Sequence, residues 1–268
     1  KGKKIVYDVH EDLPRQIMSK HWIPKPLRKL ISIATELYEN KIARNLNGII
    51  TATPFIEQRF VKINPNTIAV NNFPILTELI INQDYKLKTE NYICYVGGIT
   101  KTRGIFELAD GLTKSSATLL LAGKYLESNI KDVLKKHPAY RKIIELGFLN
   151  RKDVKELYKK SKIGIVTLHP TVNYIDSLPV KMFEYMAAGI PVIASNFKLW
   201  KSIVEENNCG ICVDPQNHKE ITSAVEKLLK NPEIANEMGK NGQKIVKEFY
   251  NWKNEEKKLI TFYKSLIE

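Results

Sequence analysis

Cysteine is scarce in this chain, with three among 268 residues, and no apolar run is long enough to cross a bilayer. Three cysteines cannot build a disulfide framework. Cys209 and Cys212 are spaced as a CxxC pair but have neither a second such pair nor a nearby histidine pair to complete a zinc site, so they are expected to flank a turn into a strand, and no metal site is expected. A spanning helix needs roughly 18 consecutive apolar residues, and the basic start KGKK leads into a strand rather than a signal-peptide core; a cytoplasmic protein is expected. No repeat of about 20 to 50 residues and no low-complexity tract occurs, which argues against a solenoid. Zinc-finger, RNA-recognition and basic-zipper patterns are also missing, and nucleic acid is not expected as a partner.

Acid is the other shortage. Against 42 Lys and Arg stand 29 Asp and Glu, leaving a formal charge of +13. Such a surface asks for an acidic partner, and on charge alone nucleic acid, anionic lipid headgroups and sugar nucleotides all qualify. Residues 1–29 carry eight cations and three acids. There, LPRQIMSKHWIPKPLRKLI mixes cations with Trp22, Ile23 and Leu27, which fits either a solvated lysine-rich face or a patch for an anionic membrane surface. With 43% hydrophobic residues the chain can bury a sizeable core.

The order of elements indicates an α/β protein with two Rossmann-like, doubly wound domains. A strand in KKIVYDV ends at His10, a helix runs over about 26–47, and GIITATP and TIAVNNFP are strands with a short helix between them. This is half of such a domain, and the N-terminal part of a larger domain is inferred to be absent. A polar, lysine-bearing stretch over 75–90 fits a linker. Then come NYICYVGG, a helix over 104–112, ATLLLAG, a helix near 131, KIIELGFL, a helix over 153–160, KIGIVTL, a helix opening after Pro179, PVIAS, a helix around Trp200, GICVD and further helices. The expected domains are 1–85, 86–245, and a C-terminal helix in 246–268 that packs back towards the first.

Ligands of open α/β sheets sit at the carboxyl ends of strands, which selects the candidate residues. In VGGITKTRG, Gly97 and Gly98 let backbone approach a phosphate and Arg103 supplies a charged fork. ELGFLN places Gly147, Phe148 and Leu149 after a later strand, where they either receive a base or form a turn with Phe148 packed inward. Lys181 lies in the first turn of the helix after Pro179, and Glu184 is one carboxylate in an otherwise apolar helix that ends at Gly189. Asp176 stands eight residues before Glu184, and such a pair can hold two parts of one polar ligand.

SLPVKMFEYMAAGIPVIAS, YVGGITKTRG, ELGFLNRKDVKELY and CGICVDP, in this order, resemble the donor-binding domain of family 4 retaining glycosyltransferases of the GT-B fold. YDVHEDLP and VNNFP resemble the acceptor-side domain of a bacterial branch that builds surface polysaccharides. The resemblance implies two Rossmann-like domains facing a cleft, a UDP- or GDP-sugar donor, a saccharide or lipid-linked saccharide acceptor, and neither cofactor nor metal. It implies that Glu184 binds the nucleotide ribose and that Asp176, where the family has glutamate, contacts the transferred sugar, with Ser177 beside it where the family often has glycine. Arg103 matches the family's phosphate-binding lysine. The usual arginine partner is replaced by Gly98, which makes Lys181 the candidate for the missing charge. His10 matches a histidine that reaches the reacting centre, with Asn72 and Tyr174 as weaker candidates. A sugar-nucleotide epimerase or phosphorylase of the same fold, and a non-catalytic polysaccharide-assembly subunit, are the alternative readings.

Overall fold

The computed structural model describes residues 2–20, 22–81 and 89–267. The chain forms two compact units: Lys1–Phe73 with Thr171–Leu178 and Trp252–Glu268, and Pro74–Pro170 with Pro179–Asn251. The division at Phe73 and Pro74 lies ahead of the expected boundary at 85/86, which falls outside the described residues.

In the first unit, strands β1 (Val6–Val9), β2 (Gly48–Thr51) and β3 (Thr67–Ala69) form a parallel sheet in that order. Helix α1 (Leu13–Ile17) and helix α2 (Lys25–Ala43) cross from β1 to β2, and α3 (Pro54–Phe60) connects β2 to β3. Helix α3 starts where Thr53 accepts the Ile56 amide and a proline follows at the first turn, two local signals for a helix start. The last helix, Trp252–Ile267, also belongs to this unit, and its Phe262 and Leu266 cluster with Ile50 of β2. Gly48 makes that contact close: a Cβ there would lie 2.6 Å from the Phe262 ring. Glu255, 2% exposed, accepts the Asn71 backbone amide at 2.7 Å and so ties this helix to the segment after β3.

The second unit opens with α4 (Leu76–Leu79), where a linker was expected; Leu79 is fully buried, and an anchoring apolar residue makes this stretch part of the folded unit. Strands β4 (Tyr92–Val96), β5 (Thr118–Ala122), β6 (Ile143–Gly147), β7 (Ile163–Val166), β8 (Val192–Ser195) and β9 (Gly210–Val213) form one parallel sheet ordered β6-β5-β4-β7-β8-β9. Between them run α5 (Ile105–Thr113), α6 (Ile130–Lys135), α7 (Arg151–Lys160), α8 (Val180–Ala187) and α9 (Lys198–Val204), followed by α10 (His218–Lys230) and α11 (Pro232–Glu248), which makes the first unit's last helix α12. Ile93, Leu119, Ile163 and Ile193 are fully buried in one core, as expected for strands covered on both faces.

The order reverses between β4 and β7, since β5 and β6 lie on one side and β8 and β9 on the other. Strands β4 and β7 pair only at Ile93–Ile163 and Cys94–Gly164. Beyond that point the Tyr185 hydroxyl of α8 accepts the Val96 amide at 3.1 Å and reaches the Ile165 carbonyl at 3.4 Å. One buried phenol thus satisfies backbone groups that the diverging strands leave unpaired. Such a switch point opens a crevice at the strands' carboxyl ends.

Candidate functional site

Beyond β4 the chain passes Gly97 and Gly98 into a 3-10 turn, Lys101–Arg103, and then into α5. Three contacts from the exit of β7 hold this turn. The His169 amide donates to the Thr102 carbonyl at 2.9 Å, the His169 ring Nε2 lies 3.1 Å from Glu107 Oε1, and Gly104 sits against the Thr167 carbonyl. With φ of +76°, and with a Cβ there due to fall 2.1 Å from Thr167 O, Gly104 is a position only glycine can fill.

Arg103 folds back over the preceding glycines. Its NH1 donates to the Gly98 carbonyl at 3.3 Å and would lie 2.9 Å from a Cβ at position 98. That carbonyl also accepts the Tyr95 hydroxyl at 2.6 Å. From α8, Lys181 brings a second nitrogen to the same turn, 3.1 Å from where a Cβ on Gly97 would be and 3.8 Å from the centre of the Tyr95 ring. Part of Lys181 is exposed, yet its Nζ is shut off from solvent and finds no hydrogen-bond partner among the described residues. Burial, with the Arg103 charge beside it, pushes the Lys181 amine down to about 7.

A cavity of about 310 Å³ is lined by Gly97, Gly98, Arg103, Lys124, Phe148 and Leu149, among others. The structure therefore gathers five sequence candidates around one space. Phe148 does not pack inward: it is 74% exposed, with the Lys124 ammonium 5.1 Å from its ring centre. Gly147, with φ of +65° and open space where a Cβ would be, turns the chain there, and its carbonyl accepts the Gly123 amide at 2.7 Å.

Glu184 is buried, and both oxygens are engaged. Oε1 accepts from Arg151 NH1 at 2.6 Å, and Oε2 from the Tyr158 hydroxyl at 2.8 Å. Arg151 opens α7, next to the Asn150 cap, and its Nε also reaches Glu78 Oε2 of α4 at 3.0 Å. A carboxylate has about four lone-pair sites, so Glu184 keeps acceptor capacity for a ligand hydroxyl. Burial and the neighbouring Glu184 charge hold the Tyr158 phenol well above its ordinary range, so it donates to Glu184 at any physiological pH. Arg151, Tyr158 and Tyr95 were not singled out from the sequence. The signal available was the polar cap immediately before Arg151.

His10, Asp176 and Ser177 fall in the first unit. His10 follows β1 and is exposed, its Nε2 3.2 Å from Asp8 Oδ2. Ser177 donates from its hydroxyl and its amide to the Tyr174 carbonyl at 2.9 and 3.1 Å, closing the turn that carries Asp176. Cys209 and Cys212 lie at and in β9, and burial pushes both thiols up to about 12, where they are poor ligands and nucleophiles.

The family pattern described as Glycosyl transferases group 1 matches residues 77–245. An uncharacterised glycosyltransferase of Methanocaldococcus jannaschii is 29% identical over 184 residues, covering 67% of this chain and 46% of that protein. The chain thus spans under half the length of that relative. Among solved structures, sucrose-phosphate synthase from Thermosynechococcus elongatus superposes with a TM-score of 0.77 at 20% identity, over 98% of this chain and 67% of that one. HepE of Anabaena, crystallised with UDP, gives 0.76 at 14% identity, over 98% and 72%. The fold is that of GT-B glycosyltransferases.

Proposed function

Because the chain belongs to the glycosyl transferases group 1 family, we propose that its second unit holds a nucleoside diphosphate sugar and that the protein moves the sugar to an acceptor hydroxyl with retention. The observation that carries this reading is the convergence of Arg103 and Lys181, from two different elements, on the Gly97–Gly98 turn at the switch point. Two cations there stabilise a diphosphate as it gains charge on departure, the kind of fixed electrostatics that dominates such catalysis. They take the place of a divalent metal, and no cofactor is invoked. The cavity beside Phe148 and Leu149 receives the base of UDP or GDP, and Glu184 the ribose hydroxyls. By the family resemblance, the sugar contacts fall to His10, Asp176 and Ser177. With Glu184 assigned to the ribose, Asp176 is left as the one carboxylate assigned to the sugar, and a covalent double displacement calls for a close pair, which favours departure and attack on one face.

We further propose a saccharide or lipid-linked saccharide as acceptor, in surface-polysaccharide synthesis at the cytoplasmic face of a membrane. No helix among the described residues is long and apolar enough to cross a bilayer. Trp22 is 80% exposed, and Leu27, Leu30 and Leu37 of α2 are exposed among lysines, a composition suited to an anionic surface. Sedimentation with anionic vesicles, absent with neutral ones, tests that part.

The donor reading is tested by thermal unfolding with UDP, GDP and their sugar derivatives, since a ligand of the folded state raises the melting temperature by mass action. A shift with one of them, and donor hydrolysis or transfer lost in Glu184→Ala, is expected. No shift with any of them sinks the reading.

A further inference from the structure

Lys181 is an unusual cation for a binding site, because without ligand its burial and the Arg103 charge outweigh what the Tyr95 ring and Glu184 offer its ammonium. The Nζ is sealed from solvent, finds no hydrogen-bond acceptor among the described residues, and faces the Tyr95 ring. The groups that face it are Cys94 and Tyr95 from β4, Arg103 from the 3-10 turn and Glu184 from its own helix. Cys94 is a buried cysteine in no disulfide, Arg103 repels an ammonium, and the Glu184 carboxylate is already shared with Arg151 and Tyr158. The Tyr95 face attracts an ammonium, but that attraction is small beside the cost of burying one whose three donors lack acceptors, a cost that a neutral amine escapes.

A diphosphate at the Gly97–Gly98 turn reverses this balance, since its oxygens give the three donors acceptors and its charge outweighs the repulsion from Arg103. We propose that Lys181 is held as a neutral amine in the empty site and becomes an ammonium when a nucleoside diphosphate binds, so that binding draws one proton from solvent onto the Nζ lone pair. The proposal rests on the donor-site reading above and goes beyond it. Arg103 is the permanent charge that attracts the phosphates, and Lys181 is a charge that exists only when they are present. The low protonation point of the free amine, about 7, agrees with this arrangement. The consequence is a donor affinity that declines with rising pH at values where Arg103 stays fully charged, by about tenfold per pH unit above the free amine's titration.

The experiment is titration calorimetry of UDP and GDP into the wild-type protein at pH 8, repeated in buffers of different protonation enthalpy. At that pH a terminal phosphate, with its last ionisation at about 6, is fully charged and contributes little proton exchange. Close to one proton taken up per bound diphosphate is expected, with none for uridine, which has no phosphate. Lys181→Arg, charged at every pH used, is expected to bind UDP without uptake. Lys181→Met is expected to bind more weakly, also without uptake. Tight binding by the wild type without uptake overturns the proposal and leaves the donor site standing, and so does uptake that persists in Lys181→Arg. Failure of both nucleotides to bind the wild type overturns the donor-site reading and this proposal with it.

Discussion

Arg103 occupies the space that a side chain at Gly98 would need: its NH1 would stand 2.9 Å from a Cβ there and bonds to the Gly98 carbonyl. The missing charge at position 98 and the placement of Arg103 are therefore one feature. Gly98→Ala meets only the ends of two flexible side chains, Arg103 and Leu126, so it is expected to leave stability within about 1 kcal/mol of the wild type while displacing the guanidinium. Donor KM should rise several-fold. Arg103→Ala, which removes the charge, should cost about 1.5–3 kcal/mol of donor binding, or roughly 10- to 100-fold. Equal KM values for wild type and Arg103→Ala would remove Arg103 from the phosphate site.

Glu184 offers a cleaner separation of binding from folding. Glu184→Gln keeps the side chain's volume and an acceptor for Tyr158 but loses the ion pair with Arg151. Arg151 is 49% exposed, so solvent screens that pair and the stability loss should stay near 1 kcal/mol. Nucleotide affinity should fall tenfold or more, because a neutral amide is a weaker acceptor for ribose hydroxyls than a carboxylate. Calorimetric titration with UDP measures it; undiminished affinity in the variant rules out the ribose role.

How much of this was legible in the sequence depended on how local the signal was. The strands of the second unit are short apolar runs bounded by glycine, and Arg103 and Glu184 sit at fixed offsets from them, so both could be named in advance. What Glu184 binds could not: Tyr158 and Arg151 lie 26 and 33 residues away and meet it only when α7 packs beside α8. Helix α4 was hidden because its surroundings are polar; its one deep anchor, Leu79, carries no pattern over four residues. Helix α1 is five residues long with a proline in its first turn, too short for a hydrophobic period to emerge.

The turn that carries Arg103 should be brittle at Gly104. Alanine there must adopt φ of +76° with its methyl 2.1 Å from the Thr167 backbone carbonyl, and neither atom is at the end of a flexible chain. A loss of about 3 kcal/mol or more is expected from strain and clash together. Chemical denaturation of Gly104→Ala against wild type measures it, and a loss under about 1 kcal/mol would mean that the β7 exit does not fix this turn.

Metal should not matter. With nucleotide bound, Arg103 and Lys181 both present positive charge to the proposed diphosphate, and among the described residues no group of three or more His, Cys, Asp or Glu is arranged to hold an ion. Transfer or donor hydrolysis is expected to continue unchanged with excess chelator. A loss restored by magnesium or manganese would show that the ion, and not the Arg103–Lys181 pair, neutralises the leaving group.

Lys181 should lower the stability of the protein it serves. Its amine titrates at about 7 in the folded state and near 10.5 when unfolded, so between those values the unfolded chain binds the proton that the folded one refuses. Stability therefore rises with pH across that window and is lowest, on account of this residue, at pH 7 and below. Replacing the amine with an uncharged side chain of similar length removes the penalty. Lys181→Met is expected to be more stable than wild type by about 2–4 kcal/mol at neutral pH, with the gain shrinking as pH climbs towards 10. The difference between the two proteins cancels the other titrating groups, and unfolding by urea at pH 7, 8.5 and 10 measures it. A binding residue that destabilises the empty site is the usual trade between activity and stability. A Lys181→Met protein less stable than wild type at pH 7 would mean that the lysine is already charged and satisfied in the free state.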